Sequence, residues 1–198
     1  MTTDSRGSMV RSAASLIRSR GVSATSFSDV LADSGAPRGS IYHHFPNGKG
    51  QLAEDAIRWT SERLLAHLRS GAPSNPSAVL ERFIDVWRRT VVTSGGTAGC
   101  VVAGVAIDTG PDEKALMDVV RATFRSWAAV LTEELEAVGI PPQRAKPIAL
   151  ATLAGMEGAL ILCRAEGNVK PLDAVAAELM RLLPSEKRAR RKRPVHSS

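Results

Sequence analysis

Aromatic residues are scarce in this chain, at 4% of the sequence, and no segment shows the apolar–polar alternation that a half-buried strand requires. Alanine and leucine dominate the apolar residues instead, and this composition favours closely packed helices over sheets. The hydrophobic fraction of 43% is ordinary for a folded protein and argues against a wholly disordered chain. We therefore expect an all-α fold.

Cysteine is nearly absent as well. Cys100 and Cys163 are far apart, and neither belongs to a CxxC pair or to a Cys/His spacing that binds metal. This pattern predicts free thiols in a reducing compartment, with no metal and no cofactor. Residues 1–21 lack the apolar segment of a secretory signal, and the most apolar stretch, 147–163, is short for a membrane span and contains Glu157. We expect a cytoplasmic protein that does not enter a membrane.

Catalytic motifs are missing too. The sequence contains no Gly-rich phosphate loop, no HExxH and no GxSxG. Both cysteines lie in apolar segments, which suppress thiolate formation, and neither has a histidine and an acid arranged nearby in the sequence. The sequence therefore predicts no enzyme and no catalytic residue. A regulator that senses redox state through Cys100 or Cys163 remains an alternative.

Positive charge is concentrated at the C-terminal end. The formal net charge is +6, but residues 185–194 hold six basic residues and one acid, so the rest of the chain carries only about +1. DNA binding must therefore be argued from local motifs and not from the overall charge. We expect residues 185–198 to be a disordered basic tail. Either it adds sequence-independent affinity for DNA phosphates or it has no role in binding.

Three short helices are predicted at the N-terminus. Apolar residues at three- and four-residue steps indicate a first helix that ends at Gly21. Ser26 can cap a second helix that ends at Gly35, and Pro37 suits the first position of a third helix that continues to about His44. Two short helices joined by a tight turn that contains glycine are typical of a helix-turn-helix.

The rest of the chain predicts a larger helical unit. Pro46, Asn47 and Gly48 precede a long helix over about 49–70, and a linker rich in Gly, Pro and Ser follows at 71–76. Further helical patterns continue to residue 184. We expect a DNA-binding head at 1–48, a ligand-binding and dimerisation body at 49–184 that the long helix joins to the head, and the tail at 185–198.

A short motif links the head to a known family. The run Gly39-Ser40-Ile41-Tyr42-His43-His44-Phe45-Pro46, with Thr25-Ser26 and Ser34-Gly35 upstream, resembles the DNA-binding signature of TetR-family transcriptional regulators. The continuation through Lys49-Gly50-Gln51-Leu52-Ala53 resembles the LmrA/YxaF-like branch, as does Gly155-Met156-Glu157-Gly158-Ala159-Leu160 with the following Arg164-Ala165. Ala36-Pro37 departs from the commoner Val-Ser opening of the recognition helix, and Ile17 stands where the family often has Phe.

The resemblance implies a function. Regulators of this family bind palindromic double-stranded operators as homodimers, most often as repressors, and a small molecule releases them. For this chain we expect a partly apolar effector. A helical interaction protein, or a nucleoid protein that binds DNA without operator specificity, is the alternative.

Candidate DNA contacts lie at the start of the third helix. A recognition helix must be slim to enter a major groove roughly 12 Å wide, and Arg38 is the long side chain there that could bind a guanine edge. The resemblance assigns phosphate contacts to Tyr42, His44 and Lys49. A solvated Arg38 and a core position for Tyr42 remain alternatives, and we expect Phe45 in the core. The predicted DNA-binding residues are Ser26, Arg38, Gly39, Ser40, Tyr42, His44 and Lys49.

The apolar helices of the body predict a pocket and a dimer interface. For Glu157, a pocket role and a structural hydrogen bond or interface pair both remain open, because a buried carboxylate needs a partner or a proton. The two tryptophans among the pocket candidates also suit a plain core. The predicted pocket residues are Phe83, Trp87, Cys100, Val101, Val105, Met117, Phe124, Trp127 and Glu157. The predicted interface residues are Ala151, Ala154, Gly155, Gly158, Ala159, Val175, Leu179 and Leu182, several of them small enough for a close helix approach.

Overall fold

The computed structural model describes residues 4–110 and 112–184. Our prediction of a disordered basic tail, with the two alternatives for its role, concerns residues 185–198, which lie outside the described residues. The described part consists of helices joined by turns and loops, with no strand, which confirms the all-α class. The helices are α1 (Ser5–Arg20), α2 (Phe27–Ser34), α3 (Ser40–His44), α4 (Lys49–Arg69), α5 (Pro76–Thr93), α6 (Val101–Asp108), α7 (Lys114–Ala137), α8 (Pro142–Glu166) and α9 (Lys170–Arg181).

The first three helices form the head. Ser26 caps α2 in a reciprocal capping box with Asp29, and Gly35 ends α2 in the left-handed conformation, as its lack of a side chain permits. Helices α2 and α3 both pack on α1. The core of the head includes Ile41 and Phe45, which is 1% exposed, so the prediction that Phe45 lies in the core is confirmed.

Helix α3 begins later than the sequence predicted. The expected start at Pro37 is wrong by three residues, because residues 38 and 39 form a turn before the helix. The backbone N–H and the hydroxyl of Ser40 both donate to the Pro37 carbonyl, at 2.9 and 2.6 Å. Proline therefore opens the turn, and the helix itself has only five residues.

Helix α4 connects the head to the body. Asp55 in its first half forms an ion pair with Arg6 of α1, with 2.5 Å between Oδ2 and an Arg6 nitrogen. In its second half, the Ser61 hydroxyl accepts a hydrogen bond of 2.9 Å from the Trp127 indole of α7. The same helix thus contacts α1 through its first half and α7 through its second half.

Helix α6 also contacts the head. The Gly99 N–H just before α6 donates to the Arg18 carbonyl of α1 at 2.8 Å, and Asp108 at the end of α6 accepts from the Ser23 N–H at 3.2 Å. Gly21 has a φ of +85°, and a Cβ there would lie 2.2 Å from the Asp108 carboxylate. Both ends of α6 are therefore hydrogen-bonded to the end of α1 or to the turn that follows it.

Helix α8 packs against α5, α7 and α9, with one face buried. Its length and composition would suit a membrane span, but close to half of its most apolar window is buried within the fold. The opposite face is exposed and carries a row of apolar residues between Leu150 and Ala165. We call this face the α8 stripe: Leu150, Ala154, Gly158, Ile161, Leu162 and Ala165.

Glu157 lies between the buried face of α8 and the α8 stripe. Its Oε1 atom is buried and has no hydrogen-bond partner among the described residues. Burial raises the pKa of this carboxyl from 4.5 to about 7, and the neighbouring Cys100 thiol opposes the shift more weakly. Close to neutral pH, the carboxyl is therefore held partly in its uncharged form.

We expect Glu157→Gln to change how stability depends on pH. The folded protein keeps the proton of Glu157 over a range, about pH 4.5 to 7, in which the unfolded chain has released it. The unfolding free energy of the wild type should therefore fall across this range, by up to about 3 kcal/mol, whereas the variant lacks this contribution. Urea unfolding at pH 5 and pH 8 measures the difference.

Glu133→Gln is the matched control, because Glu133 is an exposed glutamate on α7. It should leave the pH dependence of the wild type unchanged. A Glu157→Gln variant that is less stable than the wild type at pH 8 would contradict a carboxylate that is destabilised by burial.

Candidate DNA interface and effector cavities

The surface of α3 and the turn before it is exposed. Arg38 makes no ion pair within residues 4–110 and 112–184, and its side chain borders a groove between α2 and α3. Tyr42 is 69% exposed, and its ring meets Phe27 of α2 edge-on, with 5.6 Å between the centroids. The Tyr42 hydroxyl is thus presented to solvent on a ring that is held in place. A core position for Tyr42, which the sequence left open, is wrong.

Contacts within the head bring other predicted DNA-binding residues close to this surface. The Lys49 ammonium at the start of α4 donates to the Val22 carbonyl at 3.0 Å, in the segment that precedes α2. Ser26 lies at the end of that segment. Lys49 thus contacts the segment before α2 and Tyr42 contacts the first residue of α2, with Ser26 between these two points in the sequence.

The Ser26 hydroxyl is already engaged in the unbound protein. It donates to the Asp29 carboxylate at 2.6 Å and accepts from the Asp29 N–H at 3.2 Å, and Arg20 pairs with the same carboxylate at 3.0 Å. The Ser26 hydroxyl hydrogen points to this carboxylate, so a phosphate contact at Ser26 requires this hydrogen bond to exchange.

The remaining DNA-binding candidates differ in exposure. Gly39 is exposed, and open space surrounds the position where a Cβ would lie, so another molecule can approach its backbone closely. Ser40 is half-buried with its hydroxyl bonded to the Pro37 carbonyl. His44 is half-buried, and its ring lies between those of His43 and Phe45, with centroids at 5.4 and 6.4 Å.

A cavity of about 360 Å³ lies between α4 and α5. Trp59, Trp87 and Trp127 line it, and they are all the tryptophans of the chain. The indoles of Trp87 and Trp127 are 5.9 Å apart at a tilted angle. We call this the tryptophan cavity; its lining residues are Arg18, Trp59, Thr60, Arg63, Leu64, His67, Val86, Trp87, Arg89, Thr90 and Trp127.

A second cavity, of about 290 Å³, lies where α1, α6 and α8 meet. We call it the glutamate cavity because Glu157 and Cys100 form part of its wall. Burial raises the pKa of the Cys100 thiol well above its ordinary value, with the nearby Glu157 charge adding to the shift. The thiol is therefore neutral at pH 7 and is a poor nucleophile. Arg18 lines both cavities.

The structure distributes the predicted pocket residues over three places. Trp87 and Trp127 line the tryptophan cavity, whereas Cys100 and Glu157 line the glutamate cavity. The other five line neither cavity and belong to the hydrophobic core or pack against it: Phe83, Val101, Val105, Met117 and Phe124. Sequence reasoning missed Trp59 and Arg18. No local signal marks Arg18, because it belongs to the head and reaches the cavities only through the packing of α1.

The predicted interface residues also divide. Ala154, Gly158 and Leu182 are exposed, so a second chain could contact them. A Cβ on Gly155 would lie 3.2 Å from Val175 and 3.3 Å from Leu179, so these three residues pack together within one chain.

Two further interface candidates are turned inward, since Ala159 is buried and Ala151 is half-buried. Sequence reasoning missed Leu150, Ile161 and Leu162, whose exposed fractions are 59, 60 and 51%. The spacing 150, 154, 158, 161 and 162 follows one helical face and was the available signal.

Among the described residues, no group of three or more His, Cys, Asp or Glu side chains could hold a metal ion.

Two family models match the chain. Residues 10–56 match the model described as bacterial regulatory proteins of the tetR family, and residues 76–178 match the C-terminal domain of LmrA/YxaF-like transcriptional regulators. An uncharacterised HTH-type transcriptional regulator of Mycobacterium tuberculosis is 38% identical over 186 residues, which cover 91% of this chain and 95% of the relative.

Solved structures share the fold. A TetR transcriptional regulator from Legionella pneumophila superposes with a TM-score of 0.82 at 21% identity, over 93% of this chain and 100% of the other. The TetR-family regulator CifR, a cysteine mutant complexed with 26-bp double-strand operator DNA, superposes with a TM-score of 0.69 at 18% identity, over 90% of this chain and 96% of the other.

The exposed α3 surface, the helical body and these matches agree. The chain belongs to the TetR family of DNA-binding transcriptional regulators, with a C-terminal domain of the LmrA/YxaF-like type, and is a regulator and not an enzyme.

Proposed function

We propose that the protein is a cytoplasmic repressor that binds a palindromic operator as a homodimer and is released by a small molecule. The observation that carries this proposal is the exposed surface at α3, where Arg38 has no ion pair in the described residues and Tyr42 is held edge-on against Phe27. Double-stranded DNA is the partner because the small residues Gly39 and Ser40 allow the start of α3 to enter a major groove, and Arg38 places a positive charge beside them. The operator complex of CifR, a protein of the same fold, supports the same partner.

The roles within the head follow from position. Arg38 reads a base edge with its guanidinium, and Gly39 and Ser40 let the backbone approach the groove. Tyr42, His44 and Lys49 contact phosphates, with Ser26 contributing at the start of α2. Residues 1–48 form the DNA-binding domain and 49–184 form the ligand-binding and dimerisation domain.

The α8 stripe is the centre of the dimer interface. Its large side chains are more than half exposed, and the small Ala154 and Gly158 between them allow a second helix to approach closely. Two copies of α8 and α9 would form a four-helix arrangement around a two-fold axis. The two α3 helices would then enter successive major grooves of a palindromic site, roughly 34–36 Å apart.

The effector acts by shifting a conformational equilibrium. The tryptophan cavity lies against α4 and touches α1 through Arg18, so a bound molecule contacts both helices that orient the head. It releases DNA only if it binds the DNA-incompetent arrangement more tightly, and a change from 1:99 to 99:1 requires about 5.5 kcal/mol of preference.

The alternative is a nucleoid protein without operator specificity. Such a protein would bind a palindromic site and random DNA equally at physiological salt. The ordered Tyr42 ring and the α8 stripe favour the specific dimer.

We expect Arg38→Ala to lower affinity for the operator by roughly 10- to 100-fold, because a bidentate contact to a base contributes about 1–3 kcal/mol of discrimination. Tyr42→Ala should weaken binding to all sequences alike, since phosphate contacts carry no sequence information. The operator is first selected from genomic fragments, and fluorescence anisotropy then measures binding to the operator and to random DNA.

Arg69→Ala serves as the control, because Arg69 is an exposed arginine in the last turn of α4, far along the chain from the head. It should leave both affinities unchanged. If the double variant Arg38→Ala/Tyr42→Ala keeps full operator affinity, the α3 surface is not the DNA-binding site.

We expect Leu162→Glu to convert the dimer to a monomer. The substitution places a carboxylate in the apolar contact, and dimerisation would then bury this charge without a partner. Sedimentation velocity should show the change in mass, and operator affinity should fall because two heads no longer bind together.

Val92→Glu is the matched control: Val92 is 61% exposed at the end of α5 and lies outside the α8 stripe. It should remain dimeric. A Leu162→Glu protein that still sediments as a dimer would place the interface elsewhere.

A further inference from the structure

The tryptophan cavity differs from the other surfaces of the body in its aromatic lining. Its three indoles come from three helices, α4, α5 and α7, and they converge although the chain has so few aromatic residues. Trp87 and Trp127 are almost fully buried, and Trp59 is half-buried at the wall. Flat indole faces suit a flat aromatic ligand, which gains stacking and edge contacts in addition to burial.

The charged side chains that line the tryptophan cavity are all basic. Arg18, Arg63 and Arg89 border the cavity together with His67, and the lining contains no carboxylate. None of the three guanidinium groups forms an ion pair within the described part of the chain. Arg63 lies over the Trp59 ring, 5.1 Å from its centroid. The cavity therefore has a positive wall that no described acid neutralises.

Two buried donors at this wall have no acceptor. The indole N–H of Trp87 is buried without a hydrogen-bond partner, in a residue that is only 4% exposed, and the Nε–H of Arg18 is likewise unpartnered. By contrast, the Trp127 indole donates to Ser61. A buried donor left unpaired destabilises the protein, and a ligand oxygen at this position would remove that penalty by accepting its hydrogen bond.

Arg18 has no permanent counter-charge either. Burial lowers the pKa of its guanidinium, and the group that would oppose this shift is the Cys100 thiol, which is neutral at pH 7 because its own pKa is raised. An anion that enters the cavity would thus supply the charge that Arg18 lacks, through a charge-assisted hydrogen bond that is roughly twice as strong as a neutral one.

We propose that the effector of the tryptophan cavity is a flat aromatic anion of the aryl carboxylate class. Its ring packs among the indoles of Trp59, Trp87 and Trp127, and its carboxylate accepts from Arg18 and from the Trp87 N–H. The proposal rests on the effector response proposed above and names the chemistry of that effector. The effector would also contact the head directly, because Arg18 belongs to α1. The backbone carbonyl of the same residue accepts a hydrogen bond from Gly99, just before α6.

The glutamate cavity suits such an anion less well. Its lining combines the carboxyl groups of Asp108 and Glu157 with the guanidinium groups of Arg18, Arg20 and Arg164, whereas the tryptophan cavity has no carboxyl group in its lining. A bound anion would disfavour the charged form of each carboxyl. Because Arg18 lines both cavities and the indoles line only the tryptophan cavity, quenching of tryptophan emission identifies the cavity in which an anion binds.

Binding of 2-naphthoate tests the proposal, with 2-naphthamide and 2-naphthylmethylammonium as neutral and cationic probes of similar shape. Isothermal titration calorimetry gives the affinities, and quenching of tryptophan emission reports on the site, since all three indoles line it. We expect 2-naphthoate to bind roughly tenfold or more tightly than the amide, and the ammonium compound to bind weakest. Equal affinity for the acid and the amide would overturn the proposal.

Arg18→Gln should reduce the affinity for 2-naphthoate by roughly 10- to 100-fold and leave that for the amide unchanged, because it removes the charge and keeps a polar side chain. Arg125→Gln, at an exposed arginine of α7 outside the cavity lining, is the control and should match the wild type. Thermal melting verifies that each variant folds. Arg89→Gln, at an exposed wall position, gives a second test with a smaller expected loss.

Operator binding measured with the same probes separates this inference from the proposed function. If 2-naphthoate binds with the expected charge preference but does not change operator affinity, the chemistry of the cavity is supported and the effector response is refuted. If a neutral or cationic compound releases the operator while 2-naphthoate fails to bind, the effector response is supported and the aryl carboxylate is refuted.

Discussion

The close packing of α1 against α6 is the constraint on which the coupling of head and body depends. A backbone hydrogen bond of 2.8 Å from Gly99 to Arg18 and the Asp108 carboxylate over the turn at Gly21 attach both ends of α6 to the head. A side chain at Gly21 would displace this carboxylate. Because α6 cannot slide along α1 without breaking these contacts, the orientation of the DNA-binding helices follows the position of a body helix. This contact joins the two segments of the chain that the family models match separately.

Helix α8 shows how one segment serves several purposes. Its buried face completes the core against α5, α7 and α9, Glu157 borders a cavity, and the α8 stripe remains apolar and exposed. This division explains why the helix resembles a membrane span in composition, although nearly half of its apolar window is packed inside the fold. It also explains the abundance of small residues, since Gly155 accommodates Val175 and Leu179 from α9.

The fold class, the capped helix α2 and the core position of Phe45 could be predicted from local pattern, because caps, periodicity and turn residues are encoded within a few positions. The start of α3 could not, since the hydrogen bonds of Ser40 to Pro37 convert the expected first turn of helix into a separate turn. The residues that line the cavities were even harder to predict from the sequence. Phe83 and Val105 look like pocket residues in sequence but are buried in the core, whereas Arg18 reaches the cavity only through the tertiary packing of α1.

Arg18 belongs by sequence to the N-terminal segment, yet its side chain lines two cavities of the body. The two units of the protein are therefore separable along the chain but not in space. A chimera that joins the first three helices of one relative to the body of another, with the junction in α4, would import a foreign wall residue into the cavity together with a new operator preference. The end of the first helix must therefore fit the cavities of the body as well as support the helices of the head.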